Sequence, residues 1–317
     1  MEKENKFVSL VVYLHNNEAD IEKFFSTTVK AISERFAQYE LVFVDDACDD
    51  NTLATLSDCV LADYVDAMVN IVHMSYYQGL EVSMNAGRDA AIGDFVYEFD
   101  SCAVDYDVAV LDMIYEKLLE GYDIVSAVSD SHKRLSSKVF YGLYNSSLRE
   151  NTGKVGPDNF RIISRRAINR IKSMGVFIPY RKAVYANCGL KTYRLTYNTV
   201  NSNKKSGSTT ERVKLAFDSF IYYTDVLEKL SKYLCLLFLF TTVGIGIYIL
   251  SDVILHHHTA DGWLSIMGFL SVGFFGLFLL ITFVLKYLTA IINLIFKQRR
   301  YVVSDIEKIT PKGKTDV

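Results

Sequence analysis

YELVFVDDACDDNT, residues 39–52, is an apolar and β-branched run that stops abruptly at Asp45 and Asp46, with Asp49 and Asp50 close behind. A short run of this kind, closed by a polar stretch, is the pattern of a strand buried on both faces. The same punctuation recurs on either side. Upstream, residues 7–14 (FVSLVVYL) lead into Asn16, Asn17 and Glu18 and then a helical pattern through Arg35. Downstream, residues 67–74 (AMVNIVHM) precede a helical stretch over 79–92, and residues 94–99 (DFVYEF) stop at Asp100. A further helix over about 107–120 and a strand at 122–128 (YDIVSAV) complete the series.

Strands alternating with helices predict an α/β domain with a mainly parallel sheet. Residues 131–208 are less regular. In a parallel sheet the strand ends bearing Asp45, Asp46, Asp100 and the nearby Asp105 share one edge, where ligands of such sheets bind. Asp49 and Asp50 have a second reading as helix caps, because VDDACDDNTL offers side-chain oxygens where a helix begins. Neither G-x-G-x-x-G after the first strand nor G-x-x-x-x-G-K-[ST] occurs, which removes the dinucleotide and P-loop readings.

Half of the 317 residues are apolar, enough for a substantial core. A formal net charge of -3 gives no general attraction to nucleic acid. Cys48, Cys59, Cys102, Cys188 and Cys235 are scattered without a C-x-x-C pair, which fits a reduced cytosolic setting. The N-terminus, MEKENKFVSLVVYLHNNE, lacks the length and cleavage site of a secretory signal.

Two later runs, KYLCLLFLFTTVGIGIYILSDVIL (232–255) and WLSIMGFLSVGFFGLFLLITFVL (263–285), each have about the 20 apolar residues that cross a bilayer. Lys229 and Lys232 precede the first, and Lys297, Arg299 and Arg300 follow the second. The positive-inside rule places both chain ends in the cytoplasm, at the inner membrane, with SDVILHHHTADG outside. His256, His257 and His258 read as a solvated loop. KYLTAIINLIFKQRR suits an interfacial helix. The expected domains are a cytoplasmic domain (1–208), a juxtamembrane amphipathic segment (209–230), two transmembrane helices with a short outer loop (231–285), and an interfacial helix with a cytoplasmic tail (286–317).

Taken together, VSLVVYLHNNEADI, FVDDACDDNT, GDFVYEFDSC, GYDIVSAV, DNFRIISRRA and RRYVV resemble, in order and spacing, the family 2 glycosyltransferases. Among these the chain is most similar to the polyprenyl-phosphate glycosyltransferases, such as dolichol-phosphate mannose synthase and the bacterial GtrB and ArnC types. The resemblance implies a GT-A domain that moves a sugar, with inversion, from a UDP- or GDP-linked donor to undecaprenyl or dolichyl phosphate. It implies that Leu14, Asn16, Glu18, Asp46, Gly79 and Asp100 bind the nucleotide sugar, and that Asp100, Asp158 and Arg161 serve catalysis. Arg161 with Lys133, Arg134, Lys138 and Lys204 are the candidates for the acceptor phosphate. Mg²⁺ or Mn²⁺ is the implied cofactor, either held through water by Asp100 and Asp105 or replaced by Arg and Lys side chains, and a homo-oligomer is open.

The chain departs from this pattern where a divalent ion is normally held. The stretch reads DSCAVD, so Cys102 and Val104 stand in place of the second Asp and the Gln of the motif. Hard divalent ions favour oxygen ligands over a thiol or an isopropyl group. Further departures are Tyr13 in place of the Pro of the first motif, Tyr76 and Tyr77 in place of an Arg-Asn pair before Gly79, and Ser129 where an Arg usually follows the strand. Two readings follow: an active transferase with altered donor handling, or a non-catalytic member that binds nucleotide, lipid or a partner at the membrane.

Overall fold

The computed structural model describes residues 3–62, 67–130, 158–174, 181–200, 262–296 and 301–309, with isolated positions between 233 and 254. The chain divides into two compact units, Met1–Ala216 with Arg299–Val317, and Phe217–Gln298.

In the first unit β1 (Glu4–Leu14), β2 (Phe36–Asp45), β3 (Met68–Met74) and β4 (Phe95–Phe99) run parallel, in the spatial order β4-β1-β2-β3. Their residues are apolar on both faces because helices cover both: β1 is buried from Val8 to Leu14. The covering helices are α1 (Glu18–Phe24), continued through a π-turn (Phe25–Val29) into α2 (Lys30–Arg35), then α3 (Thr52–Ala62), α4 (Leu80–Ala90) and α5 (Ala109–Leu119). Five expected strands and the helices between them are thus present, with ends shifted by one to three residues.

The region read as less regular supplies two strands. After β5 (Ile124–Ser129), β6 (Phe160–Ser164) inserts antiparallel between β4 and β5, and β7 (Thr192–Tyr197) lies parallel to β5 at the edge. The helices α6 (Arg165–Ser173) and α7 (Arg181–Asn187) follow β6. Ser164 caps α6, its Oγ accepting from the Ala167 amide.

The tail adds an element the sequence does not announce. β8 (Val303–Ile309) pairs antiparallel with β3, making an eight-stranded sheet of order β7-β5-β6-β4-β1-β2-β3-β8. Its five middle residues are exposed, so it is a polar edge held by backbone hydrogen bonds, without the hydrophobic alternation that marks a strand.

The second unit contains α8 (Gly262–Phe296), a helix of 35 residues. The segment 286–296, expected as a separate interfacial helix, continues α8 without a break, since no Pro or Gly interrupts it. Ile266, Leu270, Phe274, Leu277, Ile281 and Val284 along α8 are exposed. Among the described residues no helix is long and apolar enough to cross a membrane. Most of the first expected span lies outside those residues, as do many side chains of α8.

At one point the packing of the first unit leaves no room for a side chain. Glu40 is buried and accepts hydrogen bonds from Ser9 Oγ and, at 2.6 Å, from the Ile92 amide, while the Gly93 amide donates to Ser9 Oγ at 2.8 Å. A Cβ on Gly93 would lie 2.6 Å from Ser9 Oγ and 2.7 Å from the Ser9 backbone nitrogen. Gly93→Ala therefore has to push the β4 entrance away from β1, at about 1–3 kcal/mol. The melting temperature of the first unit, read by calorimetry on the intact protein, is expected to fall by roughly 2–4 °C per kcal/mol.

Candidate active site

The parallel strands β1, β2 and β4 end on one edge, with Val12 in register with Phe99 and Leu14 with Asp45. The carboxylates following β2 and β4 therefore emerge two strands apart, on the order of 10 Å, on either side of β1.

On the β2 side, Asp46 is fully buried. Its carboxylate accepts from Tyr13 Oη at 2.9 Å and from the amides of Gln78 and Gly79 at 2.8 Å each. Gly79 holds φ +87°, the left-handed region that favours glycine, and so turns the β3–α4 loop onto this carboxylate. Asp46, expected among the nucleotide contacts, thus serves the backbone beneath the loops, and Leu14 is buried with it. Asn16 and Glu18 are exposed above them. Asn16 Oδ1 accepts from the Asp49 amide at 2.8 Å. Asp50 accepts from the amides of Glu18 and Thr52 at 3.2 and 3.0 Å, which is the capping role anticipated for it. The His15 ring lies 4.6 Å from that of the exposed Tyr77.

On the β4 side a buried ionic network brings together Asp100, Asp158 and Arg161. Arg161, facing Glu98 across the β4–β6 pair, donates from Nη1 to Glu98 (3.0 Å), from Nη2 to Asp100 (2.9 Å) and from Nε to Asp158 (2.8 Å). Arg181, at the start of α7, donates from Nε to Glu81 (3.0 Å), from Nη1 to Glu98 (2.9 Å) and from Nη2 to Asp100 (2.8 Å). Tyr185 Oη donates to Glu98 at 2.8 Å, and Arg88 Nη1 donates to Tyr185 Oη at 3.1 Å. Lys182 Nζ donates to the Asp158 carbonyl at 2.6 Å and pairs with Asp158 Oδ1 at 2.8 Å and Asp100 Oδ2 at 3.6 Å.

Burial alone pushes the Asp100 carboxyl up, but Arg161, Arg181 and Lys182 outweigh it and hold it below the usual carboxylate range. Asp158 behaves in the same way, burial being overcome by Arg161 and Lys182. Both guanidiniums lose from burial and gain more from the carboxylates around them, so Arg161 and Arg181 stay charged.

Arg161 is expected from the sequence to reach phosphates. Its side chain is 0% exposed, and its three bonds leave it gripping Asp100 from behind. Glu81, Glu98, Arg181 and Lys182 do not emerge from the sequence: they lie inside elements or at helix starts, outside any acidic motif. The one available signal was their placement in apolar surroundings, a setting in which charged residues are found only when paired. Lys133, Arg134, Lys138 and Lys204 lie outside the described residues.

The Asp100–Asp105 pair does not fit a divalent ion. Asp105 accepts from Tyr197 Oη at 2.9 Å and from Asn159 Nδ2 at 3.3 Å, while both Asp100 oxygens accept from guanidiniums. Cys102 is fully buried, and burial raises its thiol well above the ordinary value. Among the described residues no group of three or more His, Cys, Asp or Glu side chains could hold a metal.

The depressed carboxylates make stability depend on acidity. Because Asp100 and Asp158 ionise at lower pH in the folded chain than in the unfolded one, their contribution is complete above the unfolded value of about 4 and is lost as pH falls below it. The expected result is a melting temperature that drops between pH 5 and pH 3 in the native protein and drops less in Asp158→Asn. The variant should already be destabilised at pH 7 by about 3–5 kcal/mol, the cost of breaking one partner out of a buried ion pair.

The family description Glycosyl transferase family 2 matches residues 9–184. A glycosyltransferase of Synechocystis, itself uncharacterized, is 29% identical over 198 residues, which are 60% of this chain and 59% of that protein, so the chain spans less than two thirds of it. A prophage bactoprenol glucosyl transferase homolog of Escherichia coli is 25% identical, the match covering 82% of this chain and 86% of that one. Among solved structures, a mannosyltransferase from Pyrobaculum calidifontis in complex with GDP-Man and Mn²⁺ superposes with a TM-score of 0.53 at 16% identity, over 69% of this chain and 63% of its own. Glucosyl-3-phosphoglycerate synthase from Mycobacterium tuberculosis superposes with a TM-score of 0.51 at 15% identity, over 68% of this chain and 78% of its own. These two likenesses establish the GT-A fold. With the matched region running from β1 into the first turn of α7, over more than half of the sequence, the chain belongs to glycosyltransferase family 2.

Proposed function

We propose that this protein transfers a sugar from a UDP- or GDP-linked donor to a polyprenyl phosphate at the cytoplasmic face of the membrane, inverting the anomeric centre. The observation that carries the reading is Asp100, fixed on the carboxyl edge of the sheet by Arg161 and Arg181 and set where a nucleotide sugar would dock. The acceptor class is supported by relatives named bactoprenol glucosyl transferase, from a Shigella phage, and undecaprenyl-phosphate 4-deoxy-4-formamido-L-arabinose transferase, from Shewanella sediminis.

A polyprenyl phosphate monoester, with its second pKa at about 6, is already largely dianionic near neutral pH and needs little help from a base. The demanding step is stabilising the departing nucleoside diphosphate by fixed positive charge. In this reading Asp100 orients the donor, Arg161 and Arg181 hold Asp100 in place, Asp158 fixes Arg161, and Asn16 and Glu18 line the nucleotide end. Lys133, Arg134, Lys138 and Lys204 are assigned to the acceptor phosphate on their sequence positions alone. The membrane placement rests on the residues 232–255 and 263–285, the latter without a single charge, and on the exposed apolar side chains of α8. Both termini are placed on the cytoplasmic side by the basic residues flanking the two runs.

The test is turnover by the full-length protein in lipid nanodiscs, offered UDP- and GDP-sugars with undecaprenyl phosphate and followed by appearance of lipid-linked sugar. Transfer from at least one donor is expected, with Asp100→Asn lowering turnover by about 10²-fold or more while nucleotide still binds. Nucleotide binding without transfer from any donor would assign the protein to the non-catalytic reading.

A further inference from the structure

The cation that family 2 enzymes of this fold normally borrow from solution has a counterpart inside the chain. Lys182 Nζ sits against three oxygens, the Asp158 carbonyl at 2.6 Å, Asp158 Oδ1 at 2.8 Å and Asp100 Oδ2 at 3.6 Å. An all-oxygen set of two carboxylates and a carbonyl is the environment a hard divalent ion would choose, and here an ammonium fills it. The side chains of Arg161 and Arg181 are 0% exposed whereas that of Lys182 is 14% exposed, so among the described cations of this network Lys182 alone faces outward.

Charge balance points the same way. Among the described residues, the carboxylates of Glu81, Glu98, Asp100 and Asp158 share one connected network with the cations Arg88, Arg161, Arg181 and Lys182, four of each sign. A divalent ion added beside Asp100 would bring two further positive charges to within a few ångströms of the ammonium, and the two would repel strongly in so poorly solvated a place. Among the described residues, the motif positions offer such an ion no further ligand, since Cys102 is buried and Asp105 is turned toward Tyr197 and Asn159.

We propose that Lys182 is the resident cation of this site, and that the protein binds the diphosphate of its nucleotide without a divalent metal. The inference rests on the donor-binding reading above and adds to it the group that meets the diphosphate. A lysine is suited to this role because its ammonium is a compact point charge that can share donors between the internal oxygens and an incoming phosphate.

Full-length protein in nanodiscs is titrated with Mn²⁺ and followed by the electron paramagnetic resonance of the free ion, first without nucleotide. The wild-type protein is expected to take up no Mn²⁺ at this site at millimolar concentration, and Lys182→Met, which leaves the carboxylates one charge short of balance, is expected to bind it. UDP and GDP binding, read by calorimetry, should be unchanged in the wild type between EDTA and Mn²⁺. In Lys182→Met it should fall by about tenfold or more in EDTA and recover with Mn²⁺. Lys182→Arg, which keeps the charge, should remain insensitive to EDTA. Saturable Mn²⁺ binding by the wild type, a tenfold gain in its nucleotide affinity on adding Mn²⁺, or wild-type affinity of Lys182→Met in EDTA would each overturn the proposal. If neither nucleotide binds the wild type under any condition, the donor-binding reading fails. The diphosphate part of the proposal fails with it, and the Mn²⁺ titration still decides whether Lys182 is the resident cation: uptake by the variant alone supports that part, and uptake by both proteins or by neither overturns it. Should Lys182→Met fail to fold, Lys182→Gln takes its place.

Discussion

Two guanidiniums with no contact with solvent, Arg161 and Arg181, set the terms for the carboxyl edge of this sheet. Taking such a charge out of water costs several kcal/mol, and the loss is recovered only if every donor finds an acceptor in good geometry. Here Glu98 is the shared acceptor, taking bonds from Arg161, Arg181 and Tyr185, while Asp100 divides its two oxygens between the guanidiniums. The elements carrying these residues, β4, β6, α4 and α7, can therefore meet in only one arrangement. The network contributes less to net stability than to uniqueness, since an ill-matched alternative would leave a buried charge unpaired. Asp100 gains from this a fixed direction, which a carboxylate on a loop does not otherwise have.

Asp46 plays the corresponding part on the other side of β1, with neutral partners. By accepting from Tyr13 and from the amides of Gln78 and Gly79, it joins β1, β2 and the β3–α4 loop into one rigid floor. The chain's tail extends the same floor. The Val302 amide donates to Gln78 Oε1 at 3.0 Å, and the Val302 carbonyl accepts from Gln78 Nε2 at 2.7 Å and from the Ser75 amide at 3.1 Å. Tyr301 Oη donates to Asp89 at 3.2 Å. The YVV part of the RRYVV motif thus has a physical role in this fold, since Tyr301 and Val302 tie the tail to the sheet and steady the loop that Asp46 grips.

The tyrosine at position 13 illustrates how a departure from the family pattern can be absorbed. A proline there could offer no hydroxyl, whereas Tyr13 donates to a carboxylate oxygen in the interior. The same logic applies to Cys102. Where relatives of this fold place a metal-binding carboxylate, the thiol joins the buried core that includes Phe24 and Phe99, and the charge it fails to supply is one fewer for a cation to neutralise.

The alternation of buried runs and polar stops dictates β1 to β5 and the helices between them, because a parallel sheet covered on both faces requires continuous apolar strands and leaves its carboxylates at the ends. The capping of α3 by Asp50 was legible for a similar reason: a cap acts within a few residues of its own position. Sequence also marks the two long apolar runs near the C-terminus, where composition itself is the signal. It could not tell Asp46 from Asp100, two carboxylates each at the end of a strand, one spent on backbone amides and the other held by guanidiniums. Nor could it bring Glu81, Glu98, Arg181 and Lys182 together, or return the tail to β3. Those pairings join residues as far apart in the chain as His73 and Glu307, and electrostatic matching and backbone edge pairing leave no periodic trace. Local pattern fixes where strands and helices lie, and only the folded packing decides which charges find one another.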